Sequence, residues 1–178
     1  MGTFKSRGLR GSDLEDLVNR TNEDYREKGL ALIQKVPTPI TPVNFDKETH
    51  HITMAYFDQK STVDYIGVVQ GIPVCFDAKE CHALSFPLAN IHAHQYEFMK
   101  DFDAQDGIAF LLLYFSGPDV YYYMTFAELT KFMDRAKNGG PKHFKFGELD
   151  DRYVLPMKGG ILIPYLAGIN TDLADRDE

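Results

Sequence analysis

Two short apolar runs, Val63-Asp64-Tyr65-Ile66-Gly67-Val68-Val69 and Ile72-Pro73-Val74-Cys75-Phe76-Asp77-Ala78-Lys79, are separated only by Gln70-Gly71. Runs rich in β-branched and aromatic residues, joined by an x-Gly pair, predict an antiparallel hairpin with a two-residue loop. In that register Val69 faces Ile72, Asp64 lies directly across from Asp77, and Thr62 lies across from Lys79. Side chains alternate along a strand, so Thr62 and Asp64 share one face, as do Cys75, Asp77 and Lys79.

The remaining pattern surrounds this hairpin with helices and further strands. Ser12-Asp13-Leu14-Glu15 is a capping-box pattern, and Leu14, Leu17, Val18, Thr21 and Tyr25 follow at helical spacing. These predict a helix from Asp13 to Glu27 that stops near Gly29. Leu30 to Val36 reads as a strand, closed by the proline-punctuated segment Pro37 to Pro42. Asn44 to Gln59 reads as polar and irregular as far as the apolar stretch Ile52 to Phe57. Ile91, Gln95, Phe98, Met99 and Phe102 predict an amphipathic helix over Asn90 to Phe102, with His92 and Gln95 on one face and His92 and His94 not facing each other. Ile108 to Phe115 and Val120 to Met124 read as strands about a Gly117-Pro118 turn, and alternation buries at least one ring of Tyr121-Tyr122-Tyr123. A last helix, Ala127 to Lys137, stops at Asn138-Gly139-Gly140. This order predicts a mixed α/β fold with one central sheet.

With 178 residues, 44% hydrophobic and 13% aromatic, the chain suffices for one compact domain over 1–178. No apolar run reaches the roughly 20 residues needed to span a bilayer, and the polar start lacks a secretory apolar region, so a cytoplasmic location without membrane partners is expected. Cys75 and Cys81 form neither a disulfide framework nor a zinc pattern. The net charge of −7 and pI near 5.3 argue against strong nonspecific binding to nucleic acid. Basic residues are nevertheless uneven: Lys5, Arg7 and Arg10 open the chain, and Lys131, Arg135, Lys137, Lys142 and Lys145 cluster later. Residues 1–10 and the acidic stretch 171–178 read as disordered.

Directly opposed residues of a hairpin have Cβ atoms only about 4.5–5.5 Å apart, and like charges so placed destabilise a sheet. Two facing aspartates among valines and isoleucines therefore call for a cation. Mg²⁺, which prefers carboxylate, hydroxyl and carbonyl oxygens, is the expected one, with Mn²⁺ as substitute. Thr62 and the Ala78 carbonyl could add ligands, and Lys79 could steady a phosphoryl group or orient the attacking water. The reaction so described is metal-assisted phosphodiester hydrolysis. The spacing Asp, then Asp-x-Lys, also arises by chance; the apolar setting on both strands is what lifts it above an ordinary charged edge.

Several motifs together resemble one known family. Lys35-Val36-Pro37-Thr38-Pro39-Ile40, Ala55-Tyr56-Phe57, Ser61-Thr62-Val63-Asp64-Tyr65, Phe76-Asp77-Ala78-Lys79-Glu80, Ser85-Phe86-Pro87-Leu88, His94-Gln95 and Ala104-Gln105-Asp106-Gly107 look like the RecU family of Holliday junction resolvases, in order and over about Arg7 to Leu149. The resemblance implies a restriction-endonuclease-like fold, a mixed central sheet flanked by helices with a projecting stalk at 42–60. It further implies a homodimeric, Mg²⁺-dependent endonuclease that resolves four-way junction DNA by paired nicks in recombination and repair. Metal ligands carried over by resemblance fall on Thr62, Asp64, Asp77 and Gln95, the transition-state lysine on Lys79, and an additional acidic residue on Glu15. Lys47 and Lys60 on the stalk, with Arg7 and Arg10, are the candidate DNA contacts. A recombinase or branch-migration motor is a partner the family suggests. At position 77 the family usually has Glu, one methylene longer. A less selective nickase, or a junction-binding protein with impaired catalysis, is the alternative reading.

Overall fold

The computed structural model describes residues 8–57, 62–157 and 160–176, with backbone alone for 8–13 and 57. Its centre is a five-stranded mixed sheet. β1 (Leu32–Lys35), β4 (Tyr65–Val69), β5 (Ile72–Cys81), β7 (Ile108–Phe115) and β8 (Val120–Thr125) lie in the spatial order β1-β4-β5-β7-β8. All neighbours are antiparallel except β5 and β7. That parallel pair needs a crossover, and α2 (Ala93–Asp103) supplies it. α1 (Gly8–Glu27), α3 (Phe126–Lys137) and α4 (Tyr165–Arg176) complete the flanking layers. The expected class, a mixed central sheet flanked by helices, is the one observed.

The central hairpin forms in the expected register, with Val69 opposite Ile72 and Tyr65 opposite Phe76. Its turn has positive φ at both Gln70 (48°) and Gly71 (94°), the geometry whose twist matches that of the flanking strands. Gly67 is required for another reason: it pairs with Ile33, and a Cβ there would lie 2.1 Å from the Leu32 carbonyl oxygen.

Alternation divides the sheet into two different faces. On one, Tyr65, Phe76, Phe110, Tyr123 and Tyr153 stack in succession, with ring centroids 4.8, 4.6, 4.3 and 5.8 Å apart. α1 and α4 cover this row through Tyr25 and Tyr165, which meet edge-on at 5.1 Å. Each fully buried aromatic ring adds a large apolar area and a directional contact. The other face carries Cys75, Asp77, Leu111 and Tyr122; the Tyr122 hydroxyl donates to Glu128 of α3 at 2.8 Å. All three rings of Tyr121-Tyr122-Tyr123 are buried, so they serve the core.

Three expectations need correction. α1 starts at Gly8 rather than Asp13, so Ser12 sits inside the helix backbone and cannot cap it; the Ser12 side chain lies outside the described residues. Residues 171–176 are not disordered, because they continue α4. There Asp172 is buried, accepts the Tyr123 hydroxyl at 2.9 Å and pairs with Arg176, which also reaches Asp103. The acidic composition hid an amphipathic helix whose charges are matched internally. Finally, the segment after the prolines is regular: β2 (Ile40–Asp46) and β3 (His51–Phe57) form a separate two-stranded ribbon with a bulge around Asn44. Pro42 is tolerated because each strand of a two-stranded ribbon has a free edge. Two short strands, β6 (Ser85–Pro87) and β9 (His143–Lys145), form a third small sheet.

α4 approaches the aromatic row closely at Gly168, where a Cβ would lie 2.4–2.6 Å from atoms of Tyr123. Gly168→Ala should therefore cost about 1–3 kcal/mol through overpacking. The urea midpoint is expected to fall with an unchanged slope; an unchanged midpoint would show that α4 does not press on that row.

Candidate active site

The hairpin places Asp64 immediately before β4 and Asp77 within β5. Regular pairing ends at Tyr65–Phe76, and side-chain bonds take over there. The Asp64 backbone N–H donates to Asp77 Oδ1 at 2.7 Å, and the Ala78 N–H donates to Asp64 Oδ2 at 3.1 Å. Each carboxylate is thus held by the backbone of the opposite strand. The Asp64 carbonyl accepts the Val36 N–H at 2.8 Å, which ties the end of β1 to the same point.

Asp77 is fully buried, while Asp64 keeps partial access to solvent. Lys79, two residues along and on the same face, brings Nζ to 3.0 Å from Asp77 Oδ2. The pair has ion-pair distance without hydrogen-bond geometry, so Oδ2 remains a buried oxygen with no hydrogen-bond partner. Burial of that oxygen is offset by the Lys79 ammonium alone. Burial pushes the Asp64 carboxyl up to about 6, and the charge of Asp77 adds to the rise; Lys79 and the Ala78 N–H oppose it, and Glu15 contributes a small increase. Cys75, on the same face, is a buried thiol pushed up to about 12, first by burial and then by Asp77 and Asp103.

Glu15 enters from α1. Its carboxylate pairs with Lys35 of β1, and its carbonyl accepts the Tyr65 hydroxyl at 3.4 Å. The capping function suggested by sequence is therefore absent. Lys35 is the residue of this neighbourhood that sequence reasoning passed over as a site residue: twenty positions separate it from Glu15, and only the sheet brings the two together. Thr62 is half-buried two residues ahead of Asp64. The ladder stops short of it, so no strand register sets it across from Lys79, which is aligned instead with Leu113 of β7.

Gln95 is buried in the first turn of α2, and its Oε1 accepts the His92 N–H at 3.2 Å. That bond closes the helix start. His92 and His94 do face each other, with rings stacked at 5.4 Å, because His92 is an extended residue preceding the helix. Among the described residues no group of three or more His, Cys, Asp or Glu could hold a metal ion. Lys47 sits exposed in the turn between β2 and β3. Lys60 and Arg7 lie outside the described residues, as does the Arg10 side chain.

Two clefts lie elsewhere, one of about 430 Å³ beside α3 and α4 and one of about 490 Å³ between α1 and β1. Neither is lined by Asp64, Asp77 or Lys79.

A model of the family described as Recombination protein U matches residues 9–171. The chain belongs to the RecU family. Among curated relatives, a protein of Pediococcus pentosaceus is 38% identical over 168 residues, covering 92% of this chain and 84% of its own. One of Bacillus subtilis is 41% identical over 146 residues, covering 80% and 70%. One of Lactococcus lactis is 46% identical over 136 residues, covering 74% and 63%. All three carry the name Holliday junction resolvase RecU. The matched span of this RecU chain includes both strands of the acidic hairpin, α2, and the β6–β9 ribbon.

A raised Asp64 pKa has a stability consequence of fixed sign. The unfolded carboxyl titrates near 3.9 and the folded one near 6, so the folded state holds the extra proton between these values. The contribution of this one group is therefore fully present below about pH 4 and is lost as the pH rises through 6, while carboxylates held low by arginine, Glu148, Asp150 and Asp175, contribute in the opposite sense. In chelator at pH 7.5, Asp64→Asn should raise stability by roughly 1–3 kcal/mol, measured by thermal melting. A variant less stable than the native chain at every pH would contradict the strained-carboxylate picture.

Proposed function

We propose that this chain is a metal-dependent endonuclease that resolves four-way DNA junctions as a homodimer. The names of its relatives support the substrate. One observation in the chain supports the chemistry: a buried aspartate oxygen without a hydrogen-bond partner, beside a second aspartate and within 3.0 Å of a lysine ammonium.

The donor set fits a hard divalent cation. Asp64 and Asp77 offer two carboxylates, and Thr62 and the Ala78 carbonyl are candidates to complete the set. With only two carboxylates converging, the remaining ligands would be waters and phosphate oxygens, which Mg²⁺ or Mn²⁺ accepts readily. Such an ion, when bound, would supply Lewis-acid stabilisation of the phosphoryl group and a more acidic bound water. The chain's own residues have separable tasks. Asp64 and Asp77 bring negative charge to one point and are kept there by the opposite strand's backbone. Lys79 balances Asp77 while the site is empty of substrate, and its flexible stem lets the ammonium turn to an oxygen of the scissile phosphate, where it offsets developing charge. Gln95, with its oxygen used in closing α2, keeps amide N–H donors for a ligand water or the substrate. Glu15, held by Lys35, adds negative potential at Asp64. Symmetric nicks in opposed strands require two equivalent sites, which a two-fold dimer provides.

Cleavage of a mobile synthetic junction in Mg²⁺ or Mn²⁺ tests this reading. Lys79→Ala and Asp77→Asn should each lower the cleavage rate by at least about 10²-fold, with junction binding in chelator nearly unchanged. Full cleavage by either variant would remove the proposed site. Equal cutting of linear duplex by the native chain would favour the less selective nickase, and binding without product in either metal would favour a junction-binding protein.

A further inference from the structure

In an acidic chain, the distribution of carboxylates is as informative as that of bases. Residues 81–96 and 135–147 contain no Asp or Glu, and the fold joins these two stretches. Ser85 pairs with Lys145 and Pro87 with His143 in the β6–β9 ribbon; the Phe146 N–H donates to the Leu84 carbonyl at 2.8 Å and the Leu88 N–H to the Lys142 carbonyl at 3.0 Å. The result is a surface region poor in carboxylates that carries Lys137, Lys142 and Lys145, all exposed and in no ion pair among the described residues; Glu148 borders it, accepting the Lys145 N–H at 2.7 Å while its charge is matched by Arg135. Arg135 is not part of this free set. Its guanidinium lies over the Phe132 ring at 4.9 Å, pairs with Glu148 and donates to the His143 carbonyl at 2.7 Å, so it fastens β9 to α3.

The ribbon is packed against the core and continuous in chain with the acidic hairpin. Phe144 stacks on Phe86 at 5.1 Å and on Phe132 at 4.8 Å. The Cys81 thiol bonds the carbonyls of Ala83 and Ser85, which ties the start of β6 to the end of β5 two residues beyond Lys79. A strand that leaves the candidate active site thus runs directly into the lysine-bearing ribbon.

We propose that Lys137, Lys142 and Lys145 on and beside β9 form a phosphate-contact strip that grips a duplex arm of the DNA next to the cut. Three ammonium groups, one at the end of α3, one just before β9 and one on it, suit the regular anionic charge of a duplex backbone, and with Glu148 matched by Arg135 the strip is spared much of the repulsion that a net charge of −7 would otherwise impose. Contacts to backbone phosphates carry no sequence information directly, so the strip's contribution is independent of sequence. The inference rests on the nuclease reading of the neighbouring site.

The test uses the full chain with Lys137, Lys142 and Lys145 all changed to Gln, alongside a control with Lys28 and Lys100 changed to Gln. Binding to a four-way junction and to one linear duplex arm is measured in chelator across a salt series. Each lost phosphate contact lowers the log–log salt slope by about 0.9, so the triple variant should lose roughly 2–3 from the slope on both substrates, while the control matches the native chain. Thermal melting checks that the ribbon stays folded, and single Lys142→Gln and Lys145→Gln changes should each give about a third of the effect. An unchanged slope in the triple variant overturns the strip, including the case in which the lysines instead hold an acidic protein. Cleavage by the native chain is scored separately, so a failure of the nuclease reading stays distinguishable from a failure of the strip.

Discussion

Two aspartates brought face to face by a hairpin repel one another, and the centre of this chain is organised around offsetting that repulsion. The backbone of each strand donates to the carboxylate of the other, and Lys79 stands beside the oxygen that remains. These devices leave Asp64 with a raised pKa and one Asp77 oxygen matched by the Lys79 ammonium alone. A structural ion pair would be completed by its partners; this arrangement stops short of completion. Two converging carboxylates matched by a single ammonium are the feature on which the proposed cation site rests.

The rest of the fold keeps that geometry fixed. The same β5 that presents Asp77 on one face presents Phe76 on the other, within a row of stacked rings that crosses the sheet from β4 past β8. Packing on one face therefore holds chemistry on the other. The lateral edge is held as well, because the Val36 N–H bonds to the Asp64 carbonyl. Family membership and site geometry reinforce each other without being the same argument: the matched relatives point to a substrate, while the bonding around Asp77 bears on the reaction.

The hairpin register was legible in the sequence because period-two alternation and an x-Gly turn leave few alternatives. So were β7, β8 and α3, whose boundaries fall within a residue or two of the pattern. Less legible were features set by distant contacts. The start of α1 lay upstream of an apparent capping box, because a local side-chain signal competes with helix continuation. The acidic C-terminal stretch proved helical, because Asp172 and Arg176 find partners in Tyr123 and Asp103 that no local pattern reveals. A proline-rich stretch concealed β2, since a two-stranded ribbon tolerates the missing donor of Pro42 that a central strand would not. The Glu15–Lys35 pair was invisible for the same reason: it is a product of the sheet.

The Gln70-Gly71 turn has no chemical group in the site, yet it sets which residues meet there. Because facing alternates at every step along a strand, one inserted or deleted codon in the turn would carry half the hairpin to the wrong side of the sheet. The apolar residues would be the same in number, and the acidic pair would be parted. The length of that two-residue bend therefore constrains the site as firmly as the side chains within it.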